Sequence, residues 1–134
     1  GFVGAIGQPD IHSGELPCAY VELVKDATLT EAELLAYARA HISERAAQPK
    51  DVEILAEVPK TGGGKVFKPD LRRLAITRIY NEALSNAQVA AQVTSVIEDK
   101  KRGLVARLTA LGEVSDPQVA QVLGQFAQGW EWEP

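Results

Sequence analysis

Pro59-Lys60-Thr61-Gly62-Gly63-Gly64-Lys65-Val66-Phe67-Lys68-Pro69-Asp70-Leu71-Arg72 runs from a short extended segment through a glycine loop straight into a helix start. Glycine accepts positive φ and lets backbone approach a ligand closely, so three in a row make an open loop. A lysine at the exit of that loop, Lys65, is a mobile point charge suited to a phosphate or carboxylate. The stretch is not a Walker phosphate loop. That motif requires a glycine five residues before the Gly-Lys pair and Ser or Thr after it, and those positions hold Pro59 and Val66.

On either side, local signals divide the chain into short elements. Residues 2–6 and 17–24 read as strands separated by a turn-rich loop containing Pro9, Asp10, Ser13 and Gly14. Thr30-Glu31-Ala32-Glu33 is a capping box opening a helix with an apolar stripe at Leu34, Leu35, Ala38 and Ile42, and that helix must end before Pro49. Val52, Ile54 and Leu55 predict a short strand leading to the glycine loop. Pro69 and Asp70 then open a helix whose buried face is expected at Leu71, Leu74, Ala75 and Ile79. From Asn81 a second arrangement follows. Val89–Ile97 and Leu104–Leu111 read as a hairpin turned at Glu98–Gly103. Ser115-Asp116-Pro117 starts a helix carrying Val119, Val122, Leu123 and Phe126 that stops near Gly129, and Trp130–Trp132 alternates as a brief strand.

The bulk numbers exclude several classes. With 46% hydrophobic and 24% charged residues, the chain has an ordinary globular composition. Its net charge of −4, with scattered basic residues, gives no basic face for nucleic acid. No apolar run reaches the ~20 residues of a membrane span, and the start does not read as a signal peptide. Cys18, the single cysteine, lies in an apolar run and reads as a buried strand thiol. His12 and His41 have no partner at metal-ligand spacing, so no metal site is expected. The absence of methionine and the apolar start imply a piece from the C-terminal end of a larger protein.

The loop resembles the closing motif of adenylate-forming enzymes: acyl-CoA synthetases, luciferases and the adenylation domains of peptide synthetases. Their pattern Pro-Lys-Thr-x-x-Gly-Lys-[Val/Ile]-x-[Arg/Lys]-x-x-Leu-Arg is matched by Pro59, Lys60, Thr61, Gly64, Lys65, Val66, Lys68, Leu71 and Arg72. Upstream, Val3 to Pro17 is similar to the family's Val-Gly-x-Pro-Asp…Gly-Glu-x-Pro turn and strand. The resemblance covers residues 1 to 75 and is most like acyl-CoA synthetases.

What the resemblance implies is specific. The fold is α+β: a small mixed sheet with flanking helices over residues 1–80, extended by a helix–hairpin–helix α/β unit over residues 81–134. The partner is the large N-terminal adenylation domain of the same polypeptide, which holds most of the ATP site and the carboxylic acid pocket. The chain alone is expected to be inactive, and the whole protein cytoplasmic. Lys65 is the adenylation lysine. A cation between carboxylate and α-phosphate lowers their repulsion and stabilises charge as pyrophosphate leaves. The reaction uses ATP, Mg²⁺ and CoA, and the small domain swings between adenylation and thioester formation. Gly62, Gly63 and Gly64 form the nucleotide loop, where Lys60 and Thr61 either touch nucleotide or shape the turn. Lys68 and Arg72 read as a solvated or docking face. Many CoA ligases carry an aromatic and basic residues where this chain reads Arg45-Ala46-Ala47-Gln48-Pro49. Either CoA is held differently, through Arg39 or Arg45, or the acceptor is not CoA. Lys65 also looks like the lysine that acetyltransferases modify in related synthetases. The alternative function is a non-catalytic α/β interaction or regulatory module that keeps the fold.

Overall fold

A computed structural model describes residues 1–134. It is α+β, with three helices and two three-stranded sheets, each sheet mixing parallel and antiparallel neighbours. The chain forms two compact units, residues 1–8 with 15–72 and residues 9–14 with 73–134.

β1 (Phe2–Asp10) and β2 (Gly14–Glu22) are the arms of a hairpin that belongs to the first unit except for residues 9–14. The strands run further than the turn residues suggested: Pro9 and Asp10 still belong to β1, and Gly14 already to β2. The Asp10 carboxylate makes the tight turn possible by accepting from the amides of His12 (3.1 Å) and Ser13 (2.8 Å). The first helix, α1 (Glu31–His41), starts at the expected capping box. Thr30 Oγ1 accepts from the Glu33 amide at 3.1 Å, and Glu33 Oε1 accepts from the Thr30 amide at 3.2 Å. Ile42 falls outside the helix as its extended C-cap, and none of the α1 residues is fully buried. A 3₁₀ turn (Arg45–Ala47) leads to β3 (Asp51–Ile54), which lies parallel to β2 with Cys18 opposite Asp51 and Val21 opposite Ile54. Parallel neighbours need a long crossover, and α1 supplies it. The buried residues Ile6, Cys18, Tyr20, Val21, Val58 and Leu71 make this unit's core.

Helix α2 (Lys68–Asn86) runs six residues past Tyr80. Its buried residues are Leu71, Ala75, Ile76, Tyr80 and Leu84. Leu74, expected inside, is 40% exposed, because the buried stripe follows the 71–75–76–80–84 row and Leu74 lies off it. In the second unit, β4 (Ala91–Asp99) and β5 (Gly103–Ala110) form the antiparallel hairpin, with a register shift between Val93 and Ser95. Asp99 accepts from the amides of Lys101 and Arg102 to close its turn. The last helix, α3 (Asp116–Leu123), has the Ser115–Gln118 capping box, but it stops at Gly124 rather than near Gly129. Phe126 instead sits outside the helix with its ring 4.8 Å from that of Tyr80. β6 (Gly129–Trp132) pairs parallel with β5. Ile76, Tyr80, Leu84, Val93, Ala106, Leu108, Val119 and Leu123 form a continuous core.

Candidate functional site

The glycine loop is a short, closed hairpin. Lys60 and Val66 form an antiparallel bridge. The Thr61 amide donates to Lys65 O at 2.7 Å, the Gly64 amide to Thr61 O at 2.9 Å, and the Phe67 amide to Pro59 O at 2.7 Å. Thr61 Oγ1 accepts from the Lys65 amide at 3.3 Å, so its side chain braces the turn. Of the three glycines only Gly64 adopts positive φ, at +84°. A methyl group added at Gly62 would meet open space, and one at Gly63 only Thr61 Oγ1 at 3.8 Å. These two glycines therefore leave the tip bare, while Gly64 lets the chain turn.

The two lysines of the hairpin have opposite surroundings. Lys65 is exposed and makes no ion pair. The Lys60 ammonium, by contrast, donates to Glu22 Oε1 at 2.6 Å and Val58 O at 3.0 Å, and lies 4.3 Å from the centre of the Phe2 ring. The hydrogen bond from Lys60, then that from the Val58 amide, holds the Glu22 carboxyl below the usual glutamate range. On its other side the hairpin approaches β1 at Gly4. A Cβ there would collide with Leu71 Cδ1 and lie 2.9 Å from Val66 Cγ1. The missing side chain of Gly4 is what lets both residues close over the strand.

A second feature gathers cations. Arg39, Arg45 and Lys50 line one open depression of about 460 Å³, together with Gln48 and Pro49. Gln48 Nε2 donates to Ile42 O at 2.8 Å and Arg39 O at 3.2 Å, tying the 3₁₀ turn to the end of α1. That tie keeps arginines six positions apart in sequence around one hollow. Lys50 was missed as a candidate; its position just after Pro49 was the available signal. Arg72 lines a different groove of about 560 Å³ with Glu15 and Gly7, and Lys68 is exposed at the start of α2. Cys18 is 2% exposed. His41 stacks on Tyr37 with ring centres 3.9 Å apart. No three His, Cys, Asp or Glu side chains gather as a metal site.

Residues 2–65 match the AMP-binding enzyme C-terminal domain family. Among curated proteins, a marinolic acid–CoA ligase from Pseudoalteromonas is 46% identical over 83 residues, 62% of this chain and 13% of that protein. A probable acyl-activating enzyme 5 of Arabidopsis thaliana is 40% identical over 75 residues, 54% of this chain and 13% of its own length. A long-chain-fatty-acid–CoA ligase of Salmonella typhimurium is 36% identical over 81 residues, covering 60% and 14%. The chain thus spans only about an eighth of the length of these relatives.

Proposed function

We propose, from the match of residues 2–65 to the AMP-binding enzyme C-terminal domain family, that this chain is the C-terminal lid of an ATP-dependent acyl-CoA synthetase. In this reading a carboxylate attacks the α-phosphate of ATP and pyrophosphate leaves, and the CoA thiol then takes the acyl group from the acyl-adenylate with release of AMP. Lys65 supplies the cation at the first step. The observation that carries the proposal is the contrast within the hairpin: Lys60 is neutralised by Glu22, whereas Lys65 stands unpaired on a bare glycine tip. An unpaired ammonium on a closed turn can enter a cleft built by a larger domain without first breaking an ion pair.

ATP and Mg²⁺ bind mainly to the large domain of the same polypeptide, with Gly62–Gly64 closing over the nucleotide. CoA is assigned to the depression lined by Arg39, Arg45 and Lys50, where guanidinium and ammonium groups suit its phosphates. In the whole enzyme, replacing Arg45 and Lys50 by glutamine should raise the KM for CoA about tenfold, the cost of roughly one charge-assisted contact. A rise in the KM for ATP instead would refute that placement. The exposed Lys65 is also open to acetylation, which would remove its charge and stop adenylation. Mass spectra of peptides from acyl-CoA-rich cells that never show modified Lys65 would count against this regulation.

The decisive test of the lysine is carboxylate-dependent ATP–pyrophosphate exchange by the full-length protein. Lys65→Ala should lower it by ~10² to 10³, the usual effect of removing a preorganised electrostatic contact. The rival reading, a non-catalytic interaction module, has one observation in its favour: residues 73–134 build their own core beyond the family match. Limited proteolysis of the full-length protein discriminates. A catalytic lid gains protection at Gly62–Gly64 with ATP and acid, and a passive module does not.

A further inference from the structure

We infer that Glu22 and Lys60 are a positioning pair that fixes the pose of the Lys65 hairpin. The inference rests on the lid reading above and adds residues to it. The ladder between β2 and the following segment ends with the Leu55 amide donating to Val21 O at 2.8 Å. Three residues later the Val58 amide is met by the Glu22 carboxylate, at 2.8 Å. A side chain thus takes over from the backbone acceptor of the strand and keeps the departing chain tied to the end of β2.

The same carboxylate oxygen receives the Lys60 ammonium at 2.6 Å. The ammonium also returns to Val58 O and faces the Phe2 ring, so β1 and β2 both grip it. Both side chains of the pair are only 20% exposed, enough to strengthen a charge-assisted bond beyond a solvated surface pair. The Lys60 backbone then bridges to Val66, the residue next to Lys65. Each link is short: Glu22 fixes Lys60, Lys60 fixes Val66, and Val66 lies over Gly4. The pair also decides which lysine remains available. With Lys60 occupied by Glu22, Lys65 is the free cation of the hairpin. Lys60 acts through the turn and not on the nucleotide.

The test uses the full-length enzyme and four variants: Glu22→Gln, Lys60→Met, the double variant, and Lys60→Arg. Each single loss should lower kcat for ATP–pyrophosphate exchange by about tenfold, as expected when a reacting group is held less well in place. KM for ATP and acid should stay within about twofold, since uniform binding is not what is lost. The double variant should be no worse than the worse single, and Lys60→Arg should recover most of the rate. Amide hydrogen exchange supplies a readout independent of chemistry. The bonded amides of Thr61, Gly64 and Phe67 should exchange faster in Glu22→Gln and Lys60→Met, with the β1–β2 amides unchanged. Unchanged exchange at those three amides overturns the inference, whatever Lys65 does. So does a raised KM for ATP in Lys60→Met alone, which would put Lys60 on the nucleotide, or multiplicative losses in the double variant. If Lys65→Ala is silent while the hairpin amides respond as expected, the adenylation reading fails and the positioning pair stands.

Discussion

Gly64, Gly62 and Gly4 share a side chain of one hydrogen and have three different reasons for it. Gly64 turns the chain at φ +84°, Gly4 makes room for Val66 and Leu71, and Gly62 merely leaves space. Gly64→Ala should therefore lower domain stability by ~1 to 2 kcal/mol, the strain of a left-handed alanine. Gly62→Ala should leave stability within ~0.5 kcal/mol, as an exposed change meeting nothing. Thermal melts of the two variants check the difference, and equal losses would contradict this division. Tyr80 provides a comparable contrast inside the second unit. Its hydroxyl donates to Gln128 O at 2.6 Å, and burial raises its pKa well above the ordinary value of 10. Tyr80→Phe leaves that carbonyl without its donor and should cost ~1 to 3 kcal/mol. At this scale the sequence showed Lys65 and its loop directly. It could not show Glu22, because the partner of Lys60 lies 38 positions away and only folding of β2 brings it there.

Among the elements, helix starts were the most legible, because their chemistry is local. Thr30 with Glu33 and Ser115 with Gln118 both close complete capping boxes. Thr30→Ala or Ser115→Ala should each cost ~1 kcal/mol in a denaturant titration, and no change in the midpoint would contradict the assigned caps. Helix ends were less legible. No glycine or proline marks the end of α2 at Asn86, and α3 ends at Gly124, an earlier glycine than the Gly129 expected from the sequence. Beyond that glycine, Phe126 lies outside the helix with its ring 4.8 Å from that of Tyr80. The parallel pairings of β3 with β2 and of β6 with β5 also depend on contacts distant in sequence. The cation-lined hollow was half legible. Arg39 and Arg45 were visible, whereas Lys50 joins them only because Gln48 folds the 3₁₀ turn onto α1.

For the molecule as a whole, acid sensitivity is written into paired carboxylates. Glu22 is held low by Lys60 and the Val58 amide, and Glu131 by Arg102 and then Arg107. The Arg102 and Lys101 amides lower Asp99, and the Thr94 and Ser95 hydroxyls lower Glu133. Each binds its proton less readily folded than unfolded. Their stabilisation is complete above the ordinary glutamate value of 4.5 and is lost as pH falls through the lower folded values. The melting temperature should hold level down to about pH 5 and then fall, less steeply in Glu131→Gln. A melting temperature that rises on acidification would contradict this account.

The central claim concerns one ammonium group and is tested most directly in the full-length protein that carries this chain. The measurement compares two half-reactions of Lys65→Ala with those of the unaltered protein: ATP–pyrophosphate exchange with acid, and acyl transfer to CoA from supplied acyl-adenylate. The account predicts exchange lowered by ~10² to 10³ and transfer nearly intact. Equal loss in both, or no loss in exchange, would contradict it.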